Sequence, residues 1–423
     1  MMIKSCKKRY KRDTHRAVPP EETLNKIEPL LDVAGITRVA DITNLDRIGI
    51  PVYSSIRPMA KSGAISVYNG KGITPTEAKV SAMMEGFERY SAEVYDKPDV
   101  ITSFSRLSDR EVVLNPRELI LPDQISRLDI DNMDIPWMKG YDLINNEEIF
   151  VPMNAVVHPL DPQYQSLFRT NTNGLASGNK LEEAIFHGLT EVIERDAWSI
   201  VEITRDTGDD LVIDKDVQEF HESLPSNRTV LSILDLVSKF NKAGVEIRIK
   251  DITSDVNIPT FAAVADDILL KDPALLVIGM GTHTNAEVAI IRSLTEAAQS
   301  RVTQIHGARE DTTSGEMRKK IGYERMKKIN SHWFKPAAEK SLIEIASPDY
   351  DDFLDDINHT IENLKRVGIE RVIFVDLTRE DLNIPVVRVI VPGLEEYAVD
   401  QERIGDRCKN ARRNRLLGTK LRS

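Results

Sequence analysis

The stretch E-A-I-F-H-G-L-T-E-V-I-E-R, residues 183–195, decides the fold of this chain because an earlier segment repeats its pattern. Residues 77–89 read E-A-K-V-S-A-M-M-E-G-F-E-R, again with Glu first and Glu-x-x-Glu-Arg last. A glycine stands five residues before the first Glu in both segments, as Gly72 and Gly178. One pattern recurring after one type of turn predicts an internal structural repeat.

A third, weaker copy lies further along the chain. Residues 293–301 read S-L-T-E-A-A-Q-S-R and follow the glycine turn 279–281, with Gln299 in place of the last Glu. Apolar residues recur with helical spacing in each unit, so each predicts a turn followed by a long helix. The three predicted long helices cover residues 74–95, 181–203 and 285–304. Strand-like segments stand between them and no low-complexity linker is present, so we expect one α+β unit built of α/β subdomains.

The repeated helices carry their acidic residues on one face. At about 100° per residue, Glu85 and Glu88 lie about 60° apart, and Glu191 and Glu194 occupy the equivalent positions of the second helix. An ordinary amphipathic surface helix would also show a polar stripe, and that interpretation stays open. Four carboxylates converging from two helices would, however, require cations, and oxygen ligands of this kind suit Mg²⁺. The pattern therefore predicts a site where Mg²⁺ is shared between carboxylates and phosphate oxygens.

The charge of the chain is unevenly distributed. The net charge is −11, but residues 1–16 carry +6 and residues 403–423 carry +7, which leaves −24 for the middle. A strongly acidic middle argues against nucleic-acid binding and suits carboxylates that a bound metal neutralises. The basic ends read as solvated tails or, alternatively, as surfaces for RNA or a partner.

Composition excludes several other classes. Only Cys6 and Cys408 are present, which excludes a disulfide framework and a CxxC metal site. No apolar run reaches the roughly 18–20 residues of a membrane span, and the basic N-terminus lacks the apolar segment of a signal peptide. We therefore expect a cytoplasmic protein. The sequence has no GxxxxGK[ST], full GxGxxG or HExxH motif, so the nucleotide prediction rests on the carboxylates and on the helix N-termini after the glycine turns.

These motifs together resemble the YcaO family. Residues 81–89 resemble its first acidic helix, residues 179–195 its second (N-x₃-E-x₇-E-x₂-E-R), and residues 293–301 its third (S-x₂-E-x₂-Q-x-R). Residues 16–23, R-A-V-P-P-E-E-T, resemble the opening segment that reaches over the nucleotide. The resemblance extends over nearly the whole chain, from about residue 16 to residue 397.

The resemblance implies a YcaO-type fold, with three sheet-and-helix subdomains around one ATP site, and a homodimer. It divides the chain into an N-terminal segment reaching the site (1–60), the YcaO domain (61–400) and a basic tail (401–423). The implied cofactors are ATP and Mg²⁺. The implied Mg²⁺ ligands are Glu85, Glu88, Glu191 and Glu194. The implied nucleotide contacts are Arg16, Thr23, Asn179, Glu183, Arg195 and Arg301, with Lys71, Gln299 and, more weakly, Ser66 as further candidates.

The resemblance also implies a reaction on a peptide backbone amide. Azoline-forming members end in a PxPxP tail, whereas residues 418–423 here read G-T-K-L-R-S, which disfavours heterocycle formation. The sequence resembles stand-alone members from methanogenic archaea, which are associated with thioamidation of a glycine in the methyl-coenzyme M reductase alpha subunit, together with a TfuA-like partner and a sulfide donor. Two alternatives remain: azoline or amidine formation on another peptide, and a non-catalytic Mg-nucleotide-binding partner protein.

Overall fold

The structure is a computed structural model that describes residues 3–93, 97–212, 228–310, 314–345 and 347–418. Its strands are Tyr10–Lys11 (β1), His15–Arg16 (β2), Arg38–Asp41 (β3), Val52–Ile56 (β4), Val67–Lys71 (β5), Val100–Thr102 (β6), Ile135–Asp142 (β7), Glu147–Pro152 (β8), Leu175–Ser177 (β9), Asp210–Val212 (β10), Val245–Asp251 (β11), Thr260–Asp267 (β12), Val277–Thr282 (β13), Glu339–Ser341 (β14), Ile373–Asp376 (β15) and Val386–Ile390 (β16). Its α-helices are Pro20–Ile27 (α1), Pro75–Glu93 (α2), Phe104–Leu107 (α3), Asp123–Ser126 (α4), Leu181–Thr204 (α5), Arg228–Lys242 (α6), Ala286–His306 (α7), Ser314–Ile321 (α8), Tyr323–Ile329 (α9), Ser331–Phe334 (α10), Phe353–Arg366 (α11) and Asp406–Leu416 (α12).

Three sheets, each covered by one of the three long helices, form the body of the molecule. Helix α2 packs on the antiparallel sheet β3-β4-β5, and α7 packs on β13 and β12 at the edge of the sheet β13-β12-β11-β10-β14. Helix α5 packs on β16 and β9 of the sheet β6-β7-β15-β16-β9, in which β8 also pairs with β7. The predicted α+β fold with three sheet-and-helix subdomains is confirmed, and all three long helices begin and end within two residues of the predicted bounds.

The repeated glycines bring each helix close to the strand before it. A Cβ at Gly72 would lie 2.5 Å from the Cβ of Glu77, and one at Gly178 would lie 2.7 Å from the backbone nitrogen of Ala184. Real side chains do not approach this closely, so each turn can hold only glycine without moving the helix. The glycine spacing in the sequence therefore reports a real repeat in the structure.

Both basic ends of the chain fold onto the body. Lys8 forms a buried ion pair with Asp356, 2.5 Å between Nζ and Oδ2. Helix α12 packs against α5 and buries Cys408 and Ala411, and Arg407 contacts Asp196 at 2.8 Å. The expectation of solvated tails is therefore wrong where Lys8 and Arg407 pair with buried carboxylates of the acidic middle. It holds for Lys7, Arg412 and Arg413, which are exposed.

No helix in the described ranges is both long enough and apolar enough to cross a membrane.

Candidate active site

A cavity of about 920 Å³ lies where the three long helices meet. Helix α5 contributes Glu183, His187, Glu191 and Arg195, which recur every four residues and therefore share one face. The other two helices face them, and the N-terminal segment closes one end of the cavity through residues 13–23. The stripe predicted from the sequence thus lines a cavity and is not a solvated surface.

The predicted metal carboxylates converge on this cavity from α2 and α5. Glu85, Glu88 and Glu191 line it, whereas Glu194 is buried just behind, beside Arg195. Burial raises the pKa of Glu88 to about 8, with Glu85 and Glu191 adding to the rise against the opposing charge of Arg89. Burial likewise raises the pKa of Glu194 to about 7. The raised pKa values indicate that the protein does not fully compensate the negative charge of these buried carboxylates.

Basic side chains within the cluster supply part of the neutralisation that the sequence argument assigned to metal. Arg89 lies 3.2 Å from Glu85, and Arg195 lies 3.7 Å from both Glu191 and Glu194. Arg89 and Arg195 stand four residues after Glu85 and Glu191, so each acidic stripe contains its own i+4 partner. The pKa values of Glu88 and Glu194 are raised even with these arginines in place. The argument for Mg²⁺ therefore rests on these raised pKa values.

Two arginines in the cavity wall retain unused hydrogen-bond donors. Among the described residues, Nε and Nη1 of Arg89 and Nε of Arg292 are buried without an acceptor. Unpaired buried guanidinium donors are costly, and phosphate oxygens are the acceptors that they match best. Within the same residues, no three His, Cys, Asp or Glu side chains form a metal site on their own. This arrangement fits Mg²⁺, which binds through one or two carboxylates plus substrate phosphates.

The N-terminal segment meets the start of α5 as predicted. The Thr23 hydroxyl donates to Oδ1 of Asn179 at 3.1 Å, and Arg16 donates to Nε2 of His187. Arg16 also lies 3.8 Å from Glu183, which accepts a 3.0 Å hydrogen bond from the backbone of Asn179. The structure therefore brings these four predicted contacts to one end of the cavity.

The third helix contributes through Lys71 and Gln299, which both line the cavity. Lys71, at the end of β5, forms an ion pair with Glu296 of α7. Gln299 donates to the backbone oxygen of Asn69, so it ties α7 to the same strand. Both predicted residues thus belong to the site, but each already has a partner from the protein.

Besides Glu194, which lies just behind the cavity wall, the structure places two predicted residues outside the cavity. Arg301 is fully buried on the far side of α7, where it contacts Asp46 and Asp267. Ser66 is half-buried and hydrogen-bonded to Glu310. The phosphate contact predicted for Arg301 has no support in this arrangement, because its side chain does not line the cavity and pairs with two buried carboxylates. We remove both residues from the candidate site.

Among the cavity-lining residues that the sequence-based site omitted are Arg89, His187, Arg292 and Glu296. The signal for Glu296 was available, since it is the Glu of S-x₂-E-x₂-Q-x-R. Although burial raises the pKa of Glu296, the charges of Lys71 and Arg195 bring it below its usual value. Burial holds the pKa of His187 well below its usual value, so its Nε2 is free to accept from Arg16. Arg292 carried no local signal.

The cavity is typical of a site that binds a nucleotide with Mg²⁺, because it combines buried carboxylates, arginines with unpaired donors and helices that begin after glycine turns. The family whose model matches residues 69–395 is described as YcaO cyclodehydratase, ATP- and Mg²⁺-binding. The chain belongs to the YcaO family, whose members are ATP-dependent enzymes acting on peptides and whose cofactors are ATP and Mg²⁺.

Similar proteins support this assignment over nearly the whole chain. A protein of Methanothermobacter thermautotrophicus is 49% identical, with 94% of this chain and 99% of that protein covered. A protein encoded in the region 3′ of tfuA in Rhizobium leguminosarum bv. trifolii is 32% identical, covering 90% and 88%. The structure of YcaO from Methanopyrus kandleri bound with AMPPCP and Mg²⁺ is 28% identical and covers 95% and 98%, with a TM-score of 0.76.

Proposed function

We propose that this protein uses ATP and Mg²⁺ to phosphorylate the oxygen of a peptide backbone amide, which sulfide then converts to a thioamide. The observation that carries the proposal is the cluster of Glu85, Glu88, Glu191 and Glu194 beside arginines with unused donors. Buried carboxylates and guanidinium groups in such a cluster are stabilised when a metal ion and a polyanion bind between them.

Each part of the cavity has a role in this proposal. The four carboxylates hold Mg²⁺, while Arg89, Arg195 and Arg292 face the phosphates. Arg16, Thr23 and Glu183 contact the nucleoside end, where the N-terminal segment closes the cavity. Asn179, at the start of α5, contacts the phosphates. Lys71 and Gln299 hold the third helix in register with the other two.

The chemistry follows from the resistance of an amide to substitution. Resonance makes the amide carbonyl unreactive and its oxygen a poor leaving group. Bound ATP supplies the phosphoryl group that converts this oxygen into phosphate, a good leaving group. The carbon–sulfur bond forms, the carbon–oxygen bond breaks, and the hydrosulfide proton passes to solvent. The residues of the site contribute positioning and charge neutralisation, as in other phosphoryl transfers.

Two similarities support the choice of thioamide and substrate. The methanogen relative at 49% identity favours a glycine of the methyl-coenzyme M reductase alpha subunit as the acceptor. The Rhizobium relative encoded beside tfuA favours a TfuA-like partner that delivers sulfide. The proposal includes a homodimer.

Mass analysis of the modified peptide tests the reaction. Purified protein is incubated with ATP, Mg²⁺, sulfide and the candidate alpha subunit, with a TfuA-like protein present or absent. We expect one oxygen of a glycine-containing fragment to be replaced by one sulfur. Loss of water would instead indicate azoline formation. An absence of ADP release with any peptide would leave a non-catalytic nucleotide-binding protein.

A further inference from the structure

The residues that line the cavity continue along α5 past the carboxylate cluster to a region that we call the distal lobe. The distal lobe is lined by Trp198, Ile278, Arg318, Met326, Trp333 and Phe334. These residues come from the C-terminal half of α5, from β13 and from helices α8, α9 and α10. None of them was assigned a role in binding the nucleotide.

Helix α5 fixes the order of compartments along the cavity. Glu183 and Glu202 both line it, and a rise of 1.5 Å per residue places them about 28 Å apart. Glu191 lies between them, so the carboxylates separate the N-terminal segment from the distal lobe. In phosphoryl transfer the attacking and leaving oxygens are roughly in line with the phosphorus. A nucleoside held at the N-terminal end therefore requires the acceptor amide to arrive from the distal lobe.

The walls of the distal lobe suit an organic chain rather than a second nucleotide. The indole nitrogens of Trp198 and Trp333 both donate to Oε1 of Glu202, at 3.2 and 3.0 Å. Because these donors and this carboxylate are satisfied by each other, the lobe presents aromatic and aliphatic surface through the half-buried side chains of Trp198, Met326 and Phe334, with the buried Trp333 behind them. Such surface is typical of sites that bind peptide side chains.

One charged group in the lobe has no counter-ion. Within the described residues Arg318 is half-buried and lacks any hydrogen bond or ion pair, and burial alone lowers the pKa of its guanidinium. A partly desolvated guanidinium favours a carboxylate, which it can bind through two parallel hydrogen bonds.

We propose that the distal lobe binds the acceptor peptide and that Arg318 pairs with an acidic residue of that peptide near the modified amide. The proposal rests on the proposed function for the direction of approach, but the preference for an acidic peptide rests on Arg318 and the aromatic lining alone. Arg318 is then a specificity-determining residue.

A binding experiment with paired peptides tests the proposal. The probes are two fluorescent, terminally blocked nonapeptides with a central glycine and one phenylalanine, identical except that one carries two glutamates and the other two lysines. Anisotropy is measured with AMPPCP and Mg²⁺ present. We expect the parent to bind the glutamate peptide about tenfold more tightly, Arg318→Gln to lose the preference, and Arg318→Glu to reverse it.

The matched control is Lys320→Glu, which makes a charge reversal on an exposed residue of the same helix that lies outside the cavity. The proposal is overturned if neither peptide binds the parent, if Arg318→Glu keeps the parental preference, or if Lys320→Glu changes it equally. Thermal shift with AMPPCP and Mg²⁺ in the same samples separates the two proposals. A missing shift with an intact peptide preference contradicts the nucleotide site and not the acidic-peptide site.

Discussion

Arg301 and Asp46 are joined in the protein interior by two hydrogen bonds, 2.8 Å from Nε to Oδ2 and 3.1 Å from Nη2 to Oδ1. Asp267 accepts a third at 3.1 Å. Removing one member of a buried ion pair costs about 3–5 kcal/mol. We expect Arg301→Gln to lower the free energy of unfolding by about that amount, and Arg301→Lys by about 1–3 kcal/mol because the fork is lost. Urea denaturation measures both. A stable Lys variant that no longer responds to ATP and Mg²⁺ would restore the phosphate assignment.

Arg195→Lys should leave the stability of the protein almost unchanged and weaken nucleotide binding, which is the opposite of the result expected for Arg301→Lys. The Arg195 side chain lies over Trp198, and its pairs with Glu191 and Glu194 are 3.7 Å long, so Lys can keep the charge with little loss of stability. We expect the melting temperature without ligand to stay within about 2 °C of the parent. Most of the stabilisation by ATP and Mg²⁺ should be lost, since an ammonium cannot bind phosphate through a planar fork. Equal ligand-induced shifts in parent and variant, measured by thermal denaturation, would contradict the assignment.

Glu85→Gln and Glu194→Gln remove a charge and keep the shape of the side chain. We expect peptide-dependent ATP turnover to fall by about two orders of magnitude or more, because each variant removes a group that neutralises the metal. Folding should survive, since Gln keeps the volume of the side chain and an oxygen that can accept from the neighbouring Arg89 or Arg195. Glu324→Gln, an exposed change on α9, is the control and should keep parental turnover. Normal turnover in both test variants would mean that the metal is held elsewhere.

His15 predicts a defined dependence of stability on pH. Burial, together with Lys8, Lys11 and Arg16, lowers the pKa of His15 to about 2. The unfolded chain binds a proton near pH 6.5 but the folded chain does not, so stability from this residue falls as the pH drops below 6.5. Between pH 6.5 and pH 5 we expect the parent to lose about 1–2 kcal/mol of its free energy of unfolding through His15. The variant His15→Gln, whose amide oxygen can still accept from Lys8, should not show this loss. Denaturation of parent and variant at both values measures this difference, which should be absent if His15 titrates normally.

The two cysteines should not carry sulfur. Burial raises the pKa of Cys6 to about 12 and also raises the pKa of Cys408, so neither thiol is ionised near pH 7. We expect the Cys6→Ser, Cys408→Ser double variant to form product when free sulfide is supplied. The same mass analysis of the peptide checks it, with circular dichroism to verify folding. A folded but inactive double variant would indicate covalent sulfur transfer.

Local patterns in the sequence predicted the three helices and most of the site. The segment expected at 181–203 is a helix over Leu181–Thr204, because the glycine turn and the four-residue spacing of its charges are properties of neighbouring residues. Such patterns do not mark where α8 ends and α9 begins, at Gly322, which adopts a φ of 86°.

The errors concern contacts between distant residues. Arg301 pairs with Asp46, 255 positions earlier, and Lys71 pairs with Glu296, 225 positions later. No local pattern distinguishes an arginine that faces phosphate from one that faces a buried aspartate on the other side of the same helix. Helix α12 was misread for a similar reason. Its sequence is rich in basic residues, and Cys408 and Ala411 make too small an apolar face to indicate that it packs on the body.

The spacing of the three helices along the chain determines when the site can exist during synthesis on the ribosome. Helix α2 is complete about one hundred residues before α5, and α5 about one hundred before α7. Until residue 299 has emerged, Lys71 and Asn69 of the nascent chain lack their partners Glu296 and Gln299. ATP can stabilise a fold only by binding its native form, so it offers no help to incomplete chains. A truncation within the third helix therefore abolishes the whole nucleotide site, although the first two acidic helices remain intact.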